Sequence, residues 1–600
     1  MKVHKEEIQA IFDATEQLEA PLYQRPYVWE RERNWEPLLE AVLDLADAQV
    51  DERDARPHFL GTIVLEQRRN PIGRVGLRQI IDGQQRLTTL QLALAALRDL
   101  CRELGEDKFA QAIDKLTRNN VPLSQVKEDI YKIWPTNADR TDFMDVLTAG
   151  SREVVQKHSH ADPDDQWLIP DAYLFFAGEF AEWLGPPRAE TFAKRLQALY
   201  AVLTRGLHLV VIELEGGDDA QEIFETLNAL GTPLLPADLV KNHLFHRAQG
   251  EGEDLDRLYQ RCWQPFDAEK DYWRKEIRHG RLKRPRLDLF LAHYITLMTR
   301  QETLVSHLFL GFKKMVAAEK LSSSEQMRRF REYASVYQQF DEYAPTSRVG
   351  TFFYRLDELD TTTVYPVLLE VVKRYGNKTE LEEIASYIES YLIRRLVCEL
   401  TTKSYNKVFV AIMSRLWDAD DFSPAAMRDA LLRETSDIAR WPTDEEFRES
   451  WTRVRFYRRF KKGRSRMILE ALEEGLYNPK TEKVTIERGS LTIEHLMPVQ
   501  WEKHWMIGEE LDGKAAKQRI RERDEAIHRV GNLTLLTGAL NPSVSNGGWQ
   551  RKRQAISKNG VLKLHQTFLS EEEWDEGRID ARSAELFEIA RRIWPHPASM

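Results

Sequence analysis

A carboxylate, an imidazole and two asparagines stand in an order that suits hydrolysis of a phosphodiester. Glu494 and His495 close a short apolar run, LTIEH, at residues 491–495. About thirty-five residues on, residues 528–556 give a glycine-asparagine turn at Gly531 and Asn532, an apolar strand, and a loop carrying Asn541 and Asn546. A helix rich in Arg551, Lys552 and Arg553 follows. Cutting a phosphodiester takes a base to activate water, a hard cation to stabilise the phosphate and leaving oxygen, and a partner that holds the base in one tautomer. His495, Glu494 with Asn541, and a backbone carbonyl held by the Asn532 turn can supply all three. Singly, a Glu-His pair is a common accident and a lone strand-end histidine is more often structural. Four elements in the right order carry the reading.

A different chemistry is suggested near the amino end. Asp82, Gly83, Gln84, Gln85 and Arg86 lie between an apolar strand and a helix, where free helix amides bind phosphates. Gly83 lets the backbone approach a ligand, Arg86 offers a guanidinium fork, and the glutamines can orient water or a base. The same residues could be a helix start, with Asp82 as N-cap and Gln85 reaching back in a capping box. From the residues alone, both readings stand.

These positions need elements to hold them. Residues 59–67 read as a β-branched strand, 70–76 as a turn, and 77–100 as strand, tight loop and helix. Residues 206–214 supply another strand, and 218–245 read as helix, glycine-proline turn and helix. Residues 21–30 form an extended, proline-punctuated segment ahead of an amphipathic helix at 34–46. The expected fold is therefore multidomain α/β plus α: an α/β part over 1–245, an all-α middle over 246–440, and a mixed part over 441–600.

Composition sets the outer bounds. At 600 residues the chain exceeds the roughly 250 to 300 that one core can serve. With 42% hydrophobic and 30% charged residues it is globular rather than disordered. Three distant cysteines, Cys101, Cys262 and Cys398, exclude a disulfide framework and a cysteine zinc site, leaving oxygen and imidazole ligands for any metal. No apolar run is long enough for a membrane helix and the start is charged, so a cytoplasmic location is expected. The net charge of −10 removes any whole-chain argument for nucleic acid, so local patches decide. Residues 451–466 carry eight basic side chains, Arg455, Arg458 and Arg459 among them, with no acid and interleaved aromatics. Residues 274–286 are a second such patch, with a single acid. The alternation at 453–456 fits a strand or helix that packs one face and offers cations on the other, which suits a phosphate backbone.

The acid-histidine pair, the asparagine after a glycine and the asparagine nine positions later resemble the HNH, or ββα-metal, nucleases. IEHLMP, VGNLTLL and NPSVSN resemble more closely the carboxy-terminal domain of the GmrSD family of modification-dependent (type IV) restriction endonucleases. YQRPYVW, IDGQQRLTTLQ and FETLNALGTPLLPADLVKN are similar to that family's amino-terminal domain, a fold like the nucleotide-binding domain of ParB proteins. The pairing of these two domains is also similar to SspE-type phosphorothioate-sensing nucleases.

The resemblance implies a ParB-like sensor joined through helices to an HNH nuclease, with His495 as general base, Asn532 holding the catalytic loop, and Glu494 and Asn541 on Mg2+ or Mn2+. It places a nucleoside triphosphate on Asp82, Gly83, Gln84, Gln85 and Arg86, with Asn228 near a second nucleotide motif whose usual glutamine-arginine pair is replaced by Gly231 and Thr232. Arg455, Arg458, Arg459, Arg551, Lys552 and Arg553 are the expected DNA contacts. The implied function is nucleotide-regulated cleavage of modified phage double-stranded DNA, with a homo-oligomer left open. The alternatives are a non-hydrolysing ParB-like DNA-binding module fused to an HNH nickase, and a toxin-like RNA nuclease.

Overall fold

The computed structural model of the chain describes all residues except 1, 22–23, 69–72, 122–123, 125, 159–166, 215–234, 280–281, 478–487, 506–512, 542–546 and 600. It divides into two compact units, Met1–Glu269 with Leu321–Met327, and Lys270–Lys320 with Arg328–Met600. Residues 246–440, the expected helical middle, fall partly in each unit.

The first unit is built on a six-stranded sheet in the order β1-β6-β3-β4-β2-β5. Its strands are β1 (Lys2–Glu7), β2 (Glu16–Glu19), β3 (His58–Gln67), β4 (Gly76–Asp82), β5 (Ile133–Trp134) and β6 (Leu207–Leu214). β3 runs parallel to β6 and antiparallel to β4, and β2 runs parallel to β4 and β5. The strands expected at 59–67, 77–82 and 206–214 are all present. β1, KVHKEE, has no such signal: it is an edge strand, where charged side chains face solvent and block further pairing.

The helix Gln84–Glu103 lies deep in this unit, because LTTLQLALAALRDL is apolar almost all round. Its buried Arg98 donates to Asp99 at 2.8 Å, to the Thr117 hydroxyl and to the Leu147 carbonyl, so the cation enters the core with its donors paired. Gly83 ends β4 in the left-handed region at φ +94°, and a Cβ there would meet Ile63 Cγ2 at 2.5 Å. A register shift marks the same corner: Val64 pairs with Asp82 and Leu65 with Ile80, which leaves Ile81 of β4 as the extra residue.

The second unit is mainly helical. Its exceptions are the hairpin β7 (Glu276–His279) with β8 (Leu282–Pro285), and the ribbon β9 (Thr492–His495) with β10 (Leu533–Leu536). The hairpin corrects the all-α expectation for 246–440. It falls in the basic patch 274–286, whose charged positions, such as the exposed Arg278 and Lys283, conceal the period-two signal of a strand. The patch at 451–466 forms helices, Asp444–Arg453, Phe456–Arg459 and Lys462–Gly475, and no strand. The helix expected at the start of 218–245 lies outside the described residues; the second one is Pro236–Gly250. Among the described residues no helix is long and apolar enough to cross a membrane.

Gly83→Val meets both the positive φ and the Ile63 clash, so it should cost about 2–4 kcal/mol. Urea unfolding followed by circular dichroism reads this as a lower midpoint.

Candidate active site

The geometry of the second unit converges on one amide. Asn532 is fully buried, with its Nδ2 donating to the Met497 and Ile527 carbonyls at 2.8 Å each. Its Oδ1 accepts from the Met497 amide at 2.8 Å and from Trp574 Nε1 at 3.0 Å. Its backbone carbonyl accepts from the Leu496 amide. One side chain thereby fixes the chain just after β9 against the chain just before β10. Gly531 stands ahead of it because a Cβ would lie 2.1 Å from the Ile579 carbonyl, so only glycine lets the helix Glu576–Ile593 approach so closely. The buried Arg582 of that helix donates to the Gly531 and Leu533 carbonyls at 2.6 and 2.8 Å. Asn532 spends every polar side-chain atom on the protein, and so holds the loop.

In the ribbon Leu533 pairs with His495 and Thr534 with Glu494. The His495 ring, 7% exposed, packs edge-on to Tyr457 with centroids 4.3 Å apart. Its Nε2 lies 3.4 Å from Nδ1 of the buried His528. The partner at this ring is therefore a second imidazole, where a backbone carbonyl was expected. His528 Nε2 is buried without a hydrogen-bond partner among the described residues. Burial, with His528 and Lys552 nearby, pulls the His495 imidazole down to about 3. Burial, then Arg458 and Arg455, pulls His528 down to about 4. Both rings are neutral at pH 7, and in their mutual contact one nitrogen donates and the other accepts.

Glu494 has a separate partner. Its carboxylate accepts from Lys552 Nζ at 2.6 Å, and the same ammonium donates to the His495 carbonyl at 2.6 Å. Burial raises the Glu494 carboxyl and lowers the Lys552 ammonium, and the pair opposes both shifts. Asn541 lies against the same strand, its Nδ2 donating to the Thr492 hydroxyl at 2.8 Å. Glu494 and Asn541 are hard oxygen donors of the type magnesium and manganese take, so the donor chemistry fits, the remaining ligands coming from phosphate and water. A dication must share Glu494 with Lys552 or displace it. Among the described residues no three His, Cys, Asp or Glu side chains gather into a metal cluster.

Lys552 requires a correction: its side chain is fully buried on Glu494 and is not a DNA contact here. Arg551 is exposed, and Arg553 is half-buried, donating to the Leu569 carbonyl at 2.8 Å. Arg455 and Arg458 are exposed and near enough to His528 to depress it, whereas Arg459 is paired with Glu399. Sequence reasoning took Tyr457, between these arginines, only as one of the interleaved aromatics of the basic patch, and gave His528 no role. Lys552 had a signal: it follows Trp549 by three and precedes Ile556 by four, on the buried face of the helix Trp549–Asn559.

In the first unit Gly83 is the N-cap of the helix Gln84–Glu103, and among the described residues no side chain caps it. The Asp82 capping box is therefore absent. Gln85 turns to the 21–30 segment, accepting from the Val28 amide at 2.8 Å and donating to the Pro26 carbonyl at 3.1 Å, so it is not free for a ligand. Gln24 donates to the Ile80 carbonyl at 2.7 Å, and the Tyr27 hydroxyl meets Thr89 at 2.6 Å. These bonds bring residues 24–28 and the DGQQR turn together. The Gln84 amide nitrogen is buried without a protein partner among the described residues, and Arg86 lies over Gly61 with a hydrogen bond to the Thr62 carbonyl. Uncapped helix amides, an orphaned Gln84 and a nearby guanidinium suit an anionic ligand. Asn228, Gly231 and Thr232 lie outside the described residues.

Asn532→Ala should cost about 2–4 kcal/mol, since it orphans both Met497 backbone groups and Trp574; the midpoint of denaturant unfolding measures this. Acid stability gives a second check. His495 and His528 stay neutral in the fold down to about 3 and about 4, while in the unfolded chain both protonate below about 6.5. Their stabilising contribution is whole above 6.5 and is lost as pH falls towards 4. Melting temperature should therefore drop over that window, and less steeply in His528→Asn.

Residues 8–245 match the family description GmrSD restriction endonuclease, N-terminal domain. Residues 441–589 match GmrSD restriction endonucleases, C-terminal domain. No curated protein matches the chain. The two matches contain the uncapped Gly83 turn and the Asn532-held ribbon respectively, and together they span more than half of the sequence: the chain belongs to the GmrSD restriction endonuclease family.

Proposed function

We propose that the chain is a nucleotide-regulated DNA endonuclease that cuts modified foreign double-stranded DNA through an HNH-type site in its second unit. The observation that carries this reading is His495, a buried neutral imidazole set between Tyr457 and His528, with the exposed Arg455 and Arg458 close by. The arginines draw a phosphate to the site by charge and by their paired donors. With His495 Nε2 turned to His528, Nδ1 is the nitrogen left to take the proton of the attacking water. The free imidazole is a weak base because it is desolvated among cations. An arriving phosphate neutralises those cations and stabilises the imidazolium, so His495 gains basicity only when substrate is in place. Asn532 touches nothing that reacts and keeps β9 and β10 in register. Glu494 and Asn541 would hold magnesium or manganese, which when bound supplies positive charge to the phosphate and the leaving oxygen. Lys552 keeps the Glu494 carboxylate compensated until then.

In the first unit, the uncapped amides after Gly83, with Gln84 and Arg86, would receive the phosphates of a nucleoside triphosphate. Asp82 stands at the same corner as a carboxylate. A nuclease that must spare host DNA needs such an input to bias an inactive to active equilibrium.

Plasmid cleavage tests the proposal, scored for nicked and linear forms on modified and unmodified phage DNA, with and without each nucleoside triphosphate and magnesium. Modified DNA should be cut in the presence of magnesium, with a nucleotide response that Arg86→Ala removes. Cleavage of RNA alone, or a nucleotide response untouched by Arg86→Ala, would contradict it. Replacing Arg455 and Arg458 together by alanine should weaken DNA binding and lower its salt slope by about one unit for each phosphate no longer neutralised, with target choice unchanged. Filter binding at several salt concentrations measures that slope.

A further inference from the structure

The helix Gly513–Ala526 lies between β9 and β10 in sequence and is seated only by its last turn. Of its residues only Arg523 and Ala526 are buried, and every position from 513 to 522 except Ala516 is exposed. Arg523 donates to Glu576 and to the Trp505 carbonyl at 2.6 Å each, and Asp524 accepts from Trp501 Nε1 at 2.9 Å. These bonds fix the end of the helix just ahead of His528. The earlier turns stand in water as an arm.

The charges on this arm work against its own stability. Lys514, Lys517 and Arg521 are exposed and, spaced by three and four residues, share one face. Like charges at that spacing repel one another, and Lys514 lies in a first turn without an acid, where the helix dipole is already positive. The acids of the helix do not offset them. Glu522 is 3.8 Å from Arg519 and accepts from Gln518, and Asp524 is held by Trp501. Glu525, on the same face, makes no ion pair among the described residues, and neither do the three cations. A local arrangement that costs helix stability without internal compensation points to an outside partner, and a row of uncompensated cations selects a polyanion.

From Lys514 to Arg521 the helix rises about 10 Å, at about 1.5 Å a residue. One strand of a duplex carries a phosphate about every 3.4 Å of axis, so the row spans about three of them. We propose that this arm grips the phosphate backbone of duplex DNA beside the cleaved bond, with Lys514, Lys517 and Arg521 along one strand. The helix leads into His528, to which Arg455 and Arg458 are also close, so the row extends an approach that is already cationic. This placement rests on the reading of the second unit as a DNA nuclease.

The test uses the full chain carrying His495→Ala, so that DNA is not cut, titrated into a fluorescent unmodified duplex at several salt concentrations with anisotropy as the readout. Lys514→Gln, Lys517→Gln and Arg521→Gln together should weaken binding by about tenfold or more and lower the salt slope by about two to three units. Melting temperature should hold or rise, because the like-charge repulsion is gone. Lys514→Arg with Lys517→Arg should keep both affinity and slope. The proposal is overturned if the triple variant keeps its affinity or its slope, if its melting temperature falls along with its affinity, or if only binding to single-stranded RNA is lost. Arg455→Ala with Arg458→Ala, measured alongside, separates this from the nuclease reading. If that pair weakens binding and the triple variant does not, the arm alone is a solvated face; if neither does, or no duplex is bound, the nuclease reading fails with it.

Discussion

A single buried amide sets the geometry on which the second unit's chemistry depends. An Asn532 side chain at full burial must find partners for both its donors and its acceptor, and only one placement of the flanking chain provides them: Met497 and Ile527 on one side, Trp574 on the other. That placement forces Leu496 to follow Asn532 in register and brings His495 opposite Leu533. The glycine before it allows a helix to press on the turn, and Arg582 clamps the carbonyls on either side. Because the network is fully paired, losing any one member exposes the unmet hydrogen bonds of the rest.

The first unit solves a similar problem at a strand-to-helix corner by opposite means. Here, among the described residues, Gly83 takes the left-handed turn, no side chain caps the helix, and the Gln84 side-chain amide nitrogen lacks a partner. The glutamine that could have capped the helix, Gln85, instead ties down the 21–30 segment.

Much of this was legible in the sequence, for physical reasons that differ from element to element. β3, β4 and β6 are buried and β-branched, so their period shows, while β1 and the hairpin β7–β8 are solvated by charged side chains and have no apolar pattern to read. Glu494, His495, Asn532 and Asn541 could be singled out because local chain geometry fixes their spacing, and the structure places them on or beside the β9–β10 ribbon. Tyr457 and His528 could not be, since they reach His495 through packing across 38 and 33 residues, which no local pattern encodes. Lys552 was misplaced because its neighbours Arg551 and Arg553 suggested a basic surface, although Trp549 and Ile556 marked its face as buried. The Glu494–Lys552 pair also shows why a carboxylate beside a histidine is not by itself a metal site: an internal cation can hold it.

The central claim is that His495 supplies the base for phosphodiester cleavage from a site that Asn532 and His528 hold in place. The most direct measurement is DNA cleavage by His495→Ala in buffers of increasing imidazole concentration. The ring sits in a buried niche between Tyr457 and His528, so its removal leaves a space of the same shape. The account predicts that cleavage is lost and returns with added imidazole, in proportion to the neutral form. Cleavage by His495→Ala at the wild-type rate without imidazole would contradict it.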